Sequence, residues 1–216
     1  MRYGTNMRKI LYIHGMGGGS DSRIPSILSE CLCSTHPNEV AVTARTYDFD
    51  PEIAHEQITS WVDEIKPDMV IGESLGSMHA LRIEGVPKIF VSPALNTHIY
   101  FKLLSWLTLI PGVTGIYDRI YRPREGDRQR LHFTPGVLRK YMAHRKAAMS
   151  APVPEGVYAF FGTKDHYRRS GIVSVRTWKR HFGDTFTIYD GTHFMEEEFV
   201  RSILLDKVFE VLNINK

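Results

Sequence analysis

Cysteine is nearly absent: Cys31 and Cys33 are the only two in 216 residues. They stand two apart in a stretch with helical periodicity, so their side chains point to different faces and do not readily bridge. That excludes a disulfide framework and fits a reducing compartment. Long apolar runs are missing as well. The greasiest stretch, 103–117 (LLSWLTLIPGVTGIY), is shorter than the roughly 20 residues a membrane span needs, and Pro111, Gly112 and Gly115 interrupt it. The apolar run from Ile10 to Ile13 falls short of the core of a secretory leader, about 7–15 residues. A cytoplasmic protein without stable membrane insertion is expected. Charge of one sign is scarce too: the formal net charge is +3, too small to imply nucleic-acid binding. His55, His79 and His144 form no metal-ligand spacing, and Gly17–Gly19 is not followed by the G-K-[ST] of a phosphate loop. No metal and no cofactor are expected.

With 43% hydrophobic and 24% charged residues, the chain has the composition and length of one globular domain, 1–216. Short β-branched runs alternate with helical patterns, which predicts an α/β fold: an open, mainly parallel six-stranded sheet with helices on both faces. The strands are read at 9–13 (KILYI), 40–47 (VAVTARTY), 68–72 (DMVIG), 88–92 (KIFVS), 157–162 (VYAFFG) and 185–190 (TFTIYD). Helical stripes are Ile24, Ile27, Leu28, Cys31 and Leu32; then Ile58, Trp61, Val62 and Ile65; and last Val200, Ile203, Leu204, Val208, Val211 and Leu212. Asp50 and Pro51 read as N-cap and first position of the second helix. From about 96 to 150 no strand is legible, only helix-compatible segments broken by Pro and Gly, and an insertion of this size is usually functional.

Gly72-Glu73-Ser74-Leu75-Gly76 matches G-x-S-x-G, a pattern that arises by chance in about 7% of chains this long. Its setting strengthens it, since a buried-strand pattern precedes it and a helical one, LGSMHALRI closed by Gly85, follows. Such a turn forces the serine into a strained, projecting position, and flanking glycines let strand and helix approach. A serine hydroxyl is a weak nucleophile and needs a base, which in turn needs an orienting acid. Asp165, in Gly162-Thr163-Lys164-Asp165-His166, follows one later strand, and His193, in Gly191-Thr192-His193-Phe194, follows the next. In a parallel sheet these strand ends share an edge with Ser74. Asp190 is the rival acid, and Asp165 has an alternative reading as a plain N-cap. The turn His14-Gly15-Met16-Gly17-Gly18-Gly19 lies at the same edge. There the N–H groups of Met16 and Leu75 would receive an oxyanion. His14, Gly15, Glu73 and His166 are candidates for substrate contact, His14 more as a structural residue shaping the turn.

The set HG-x-G, G-x-S-x-G, G-x-x-D and G-x-H-F, in this order, resembles the α/β-hydrolase superfamily in a minimal form without two N-terminal strands. More narrowly it is similar to small bacterial serine hydrolases. The resemblance spans nearly the whole chain, puts 96–150 in the position of a lid, and implies a Ser74–His193–Asp165 triad hydrolysing a carboxylic ester, thioester or amide. Ser77 and Met78 depart from it, since a further small residue is frequent there. A binding protein on the same fold and an acyltransferase are the rival classes. Within 97–150, ten basic residues (Lys102, Arg119, Arg122, Arg124, Arg128, Arg130, Arg139, Lys140, Arg145, Lys146) face three acids (Asp118, Glu125, Asp127), a net of +7 that leaves −4 for the remainder. A solvated basic face is the plainer reading of this excess; the functional alternative is that the small-molecule ester substrate is anionic and drawn by Arg122, Arg124 or Arg128.

Overall fold

The computed structural model describes residues 7–123, 125–152 and 155–215. Six strands, β1 (Arg8–Ile13), β2 (Val40–Ala44), β3 (Met69–Glu73), β4 (Lys88–Val91), β5 (Val157–Gly162) and β6 (Phe186–Tyr189), form one sheet in the order β2-β1-β3-β4-β5-β6. Every neighbouring pair is parallel. The central strands are buried on both faces, and their alternation divides the core in two. Leu11, Ile13, Val70, Phe90, Ala159 and Phe161 point to one side; Ile10, Tyr12, Met69, Ile71, Ile89, Val91 and Phe160 point to the other. A period of two in a strand buried on both faces requires this, and it explains why the runs read as continuously apolar.

Helix α1 (Arg23–Thr35) covers the second side with its expected stripe. There it meets the C-terminal element, in which α9 (Glu197–Phe199), a π-helical turn (Val200–Leu204) and α10 (Leu205–Leu212) run on from one another. The first side is covered by α2 (Pro51–Ile65), α3 (Gly76–Ala80), α6 (Pro135–Ser150) and α8 (Val175–Phe182). Asp50 caps α2 by accepting the Glu52 N–H at 3.0 Å, with Pro51 in the first turn. The remaining helices are α4 (His98–Leu107), α5 (Val113–Ile120) and α7 (His166–Arg169). No helix among the described residues is long and apolar enough to cross a membrane.

Three local expectations are corrected. β2 stops at Ala44 rather than 47, because Thr46 turns to bond Ser20 and Asp127 and Tyr47 turns inward to stack on His14. α3 is a five-residue helix, Gly76–Ala80, rather than one reaching Gly85: beyond it the backbone tightens into turns in which the Arg82 N–H donates to the His79 carbonyl and the Ile83 N–H to the Ala80 carbonyl, before β4 begins at Lys88. Within 96–150, α6 belongs to the core: Leu138, Tyr141 and Ala148 pack with Ile58 and Met78, while α4 contributes only Phe101 to it and α5 has no buried residue. Met78 and Ser77 are fully buried without disturbing the elbow, Ser77 Oγ donating to the Gly72 carbonyl at 3.3 Å.

The chain runs from β1 outward to β2, then returns across β1 to β3, so β1 and β3 are neighbours whose exits diverge. Their carboxyl ends frame the crevice where open α/β sheets hold ligands. α3 leaves this crevice packed so tightly that a Cβ on Gly76 would overlap the Ile13 and His14 carbonyl oxygens. Gly76→Ala is expected to cost roughly 1–3 kcal/mol of stability. Gly115→Ala in α5, where nothing stands within reach of the added carbon, is expected to be neutral or stabilising by up to ~1 kcal/mol. Urea unfolding midpoints of the two variants check the contrast.

Candidate active site

Ser74 sits between β3 and α3 with φ +47°, a left-handed conformation unusual for a residue with a side chain. The backbone around it is fully engaged: its N–H donates to the Val91 carbonyl (2.9 Å) and its carbonyl accepts from Ser77 (3.2 Å) and Ala94 (3.0 Å). Ser74 Oγ lies 2.9 Å from His193 Nε2, and His193 Nδ1 lies 2.9 Å from Asp165 Oδ2. His193 is 3% and Asp165 2% exposed. A carboxylate only accepts, so the Nδ1 proton points to Asp165, and Nε2 is left to accept from the Ser74 hydroxyl. Asp165 also N-caps α7, its Oδ1 accepting the Tyr167 N–H at 2.8 Å. The same carboxylate thus caps α7 with one oxygen and contacts His193 with the other. Asp190 instead bonds Thr163 and Lys164 at the surface, its side chain 75% exposed.

The His193 loop is braced from two directions. The Thr192 N–H donates to the Glu196 carboxylate at 3.0 Å, and the β5 loop bonds across to the β6 loop through Thr163 N–H to the Tyr189 carbonyl and Lys164 N–H to the Gly191 carbonyl. These bonds fix the separation of Asp165 and His193 through backbone.

Ser74 and His193 open onto a cavity of about 390 Å³ that Gly15, Met16, Glu73 and Leu75 also line. The N–H groups of Met16 and Leu75 donate to no acceptor among the described residues. Glu73 accepts the Tyr12 hydroxyl at 2.7 Å. Two of the candidate contact residues lie off the cavity wall. His14 is wholly buried under the glycine turn, stacked on Tyr47 at 4.2 Å with Nδ1 bonded to the Gly15 carbonyl, and does not line the cavity. His166 is exposed and does not line the cavity, its ring 6.1 Å from that of His193, and the next residue, Tyr167, lines the cavity and meets the His193 ring edge-on at 4.6 Å. Of the three arginines expected at the mouth, Arg128 lines the cavity, Arg122 does not, and Arg124 lies outside the described residues. Arg23, Thr97, Tyr100 and Phe101, which the sequence did not single out, are also part of the wall; only the helical spacing of the α4 residues hinted at Tyr100 and Phe101.

Solved structures share this architecture at low identity. Est1E from Butyrivibrio proteoclasticus superposes with a TM-score of 0.61 at 16% identity, over 98% of this chain and 90% of that one. A metagenome-derived lipolytic enzyme from the work on LipS and LipT gives 0.61 at 13%, over 97% and 94%. The chain has the α/β-hydrolase fold. Tomato methylketone synthase I, at 0.59 and 9% identity over 96% and 98%, has the same architecture. No family model matches the sequence, and neither does any curated protein.

On the α2–α6 side of the sheet His14, Tyr47, His79 and His144 lie in contact, with centroid separations of 4.2, 5.1 and 4.4 Å. Burial pushes His14 down to about 4 and His144 to about 3, and pushes His79 well below the usual histidine range. Both His79 ring nitrogens are unpartnered among the described residues. The unfolded chain takes up protons on these rings below about pH 6.5 while the folded chain does not, so stability falls as pH drops from there toward 4. His79→Phe removes one such ring. It is expected to lose less stability than the parent between pH 7 and pH 5, by on the order of 1–2 kcal/mol, read from urea midpoints at the two pH values.

Proposed function

We propose that the protein is a serine hydrolase that cleaves a carboxylic ester through an acyl-Ser74 intermediate. The observation that carries this reading is the pair of 2.9 Å contacts running Ser74 Oγ to His193 Nε2 and His193 Nδ1 to Asp165 Oδ2, at the floor of a cavity. In the proposed cycle, His193 Nε2 takes the Ser74 proton as Oγ attacks the carbonyl carbon, and Asp165 stabilises the resulting imidazolium. The tetrahedral oxyanion accepts from the N–H groups of Met16 and Leu75. His193 then protonates the departing alkoxide, accepts a proton from an incoming water, and returns it to Ser74 as the acid leaves. No step needs a cofactor. The esterase and lipolytic neighbours support a hydrolase, and the two free cysteines suit a reducing cytoplasm. We assign α4 and the turn after it the part of a lid over the cavity. Arg128 and Arg23 at the wall favour substrates with an anionic group.

Purified protein should hydrolyse short-chain aryl esters. Ser74→Ala should lose roughly 10³-fold or more in kcat, and Asp165→Asn on the order of 10⁴-fold by releasing the His193 tautomer, while Asp190→Asn stays near parental. An Asp190→Asn loss as deep as that of Asp165→Asn would move the acid. An anionic ester should outrun its neutral match, by a margin that shrinks with salt and in Arg128→Ala. Product formed with an added alcohol acceptor at the expense of hydrolysis would identify an acyltransferase instead, and binding without turnover would identify a binding protein.

A further inference from the structure

Helices α4 and α5 each carry an apolar side that nothing covers among the described residues. Ile99, Leu103, Trp106 and Ile110 recur at helical spacing along α4 and its C-terminal turn and are 63%, 62%, 62% and 55% exposed; Ile116 and Ile120, one turn apart on α5, are 59% and 65% exposed. The opposite sides of these helices are already occupied. Phe101 and Ser105 of α4 are buried where it packs on α6, and Tyr117 of α5 rests on Phe133. A soluble surface rarely leaves a stripe of this kind bare without a use for it. Lys102 and Arg119 are interleaved with the stripe, Arg122 follows it, and all three are exposed. None of them forms an ion pair among the described residues; the ion pairs of this region are Asp118 with His132, Arg128 with Asp21, and Lys140 with Asp50 and Glu52.

We infer that the α4–α5 face docks the protein on an anionic lipid bilayer, lying in the interface plane without crossing it. An apolar stripe with tryptophan, bordered by cations whose long stems reach past it to water, is the pattern that seats in the boundary between headgroups and acyl chains. A second copy of this chain is the poorer occupant, because a two-fold contact would set the same basic border against itself. Thr97, Tyr100 and Phe101, at the start of α4, line the cavity, so docking brings the cavity mouth beside the lipid surface. The inference rests on this surface and not on the catalytic reading.

The test is co-sedimentation of the full chain with vesicles of phosphatidylcholine alone and of phosphatidylcholine mixed with phosphatidylserine, with vesicles of brominated lipid as a quencher. Trp106 is the exposed tryptophan, Trp61 being half-buried and Trp178 buried. Binding to the anionic vesicles should exceed binding to the neutral ones by about 10-fold or more and weaken with salt. The L103E/W106E double variant, with an unchanged circular dichroism spectrum, should lose at least about 10-fold of that binding. W106F should keep binding and lose the quenching. Absence of binding to both vesicles, or quenching that persists in W106F, would overturn the inference. So would a lipid-free dimer in sedimentation velocity that L103E/W106E dissolves.

Discussion

Ser74 has to hold a left-handed backbone that side-chain-bearing residues avoid, at a cost on the order of 1–2 kcal/mol. The surrounding packing is what keeps it there. Three backbone hydrogen bonds, from Ser74 to Val91 and to Ser74 from Ser77 and Ala94, tie the turn to β4 and to the start of α3. Gly76 lets α3 press against the carbonyls that end β1. The sheet order places β1 and β3 side by side, so the glycine turn after one and the serine turn after the other open on a common cavity. Strain is tolerated at this point because the elements on each side are rigid and mutually locked.

His193 and Asp165 depend on the other half of the same edge. Asp165 divides its oxygens between capping α7 and receiving His193, so the carboxylate is held whether or not the imidazole is in place. Glu196 and the bonds between the β5 and β6 loops hold the imidazole from below, and Tyr167, the residue after the first of α7, packs on its edge. A single short turn thus supplies the carboxylate beside His193, the cap of α7 and a cavity wall.

The strands were legible in the sequence because burial on both faces leaves almost no choice of residue, as in β3 and β4. The serine, aspartate and histidine turns were legible because glycines flank Ser74 on both sides and precede Asp165 and His193 at Gly162 and Gly191, for a steric reason that survives without coordinates. The rest depended on rotations too small for a pattern to encode. His166 and Tyr167 are adjacent on a one-turn helix, so about 100° of rotation decides which of them reaches the cavity. His14 follows a strand ending whose side-chain direction reverses at the next residue, and the partner that draws it inward, Tyr47, lies beyond β2 where the sequence read as more strand. Residues 96–150 mix a core helix with two surface helices of similar apolar content, and only contacts distinguish Leu138, which is buried, from Leu103, which is exposed.

The central claim is that Ser74 is made nucleophilic by His193, and covalent labelling reads this without any choice of substrate. Incubation with a fluorophosphonate, followed by peptide mass mapping, should place a single adduct on Ser74. His193→Ala, still folded, should label slower by roughly 10³-fold or more, as expected for loss of a triad member. An unlabelled protein, an adduct on another serine, or equal labelling of the parent and His193→Ala would contradict the account.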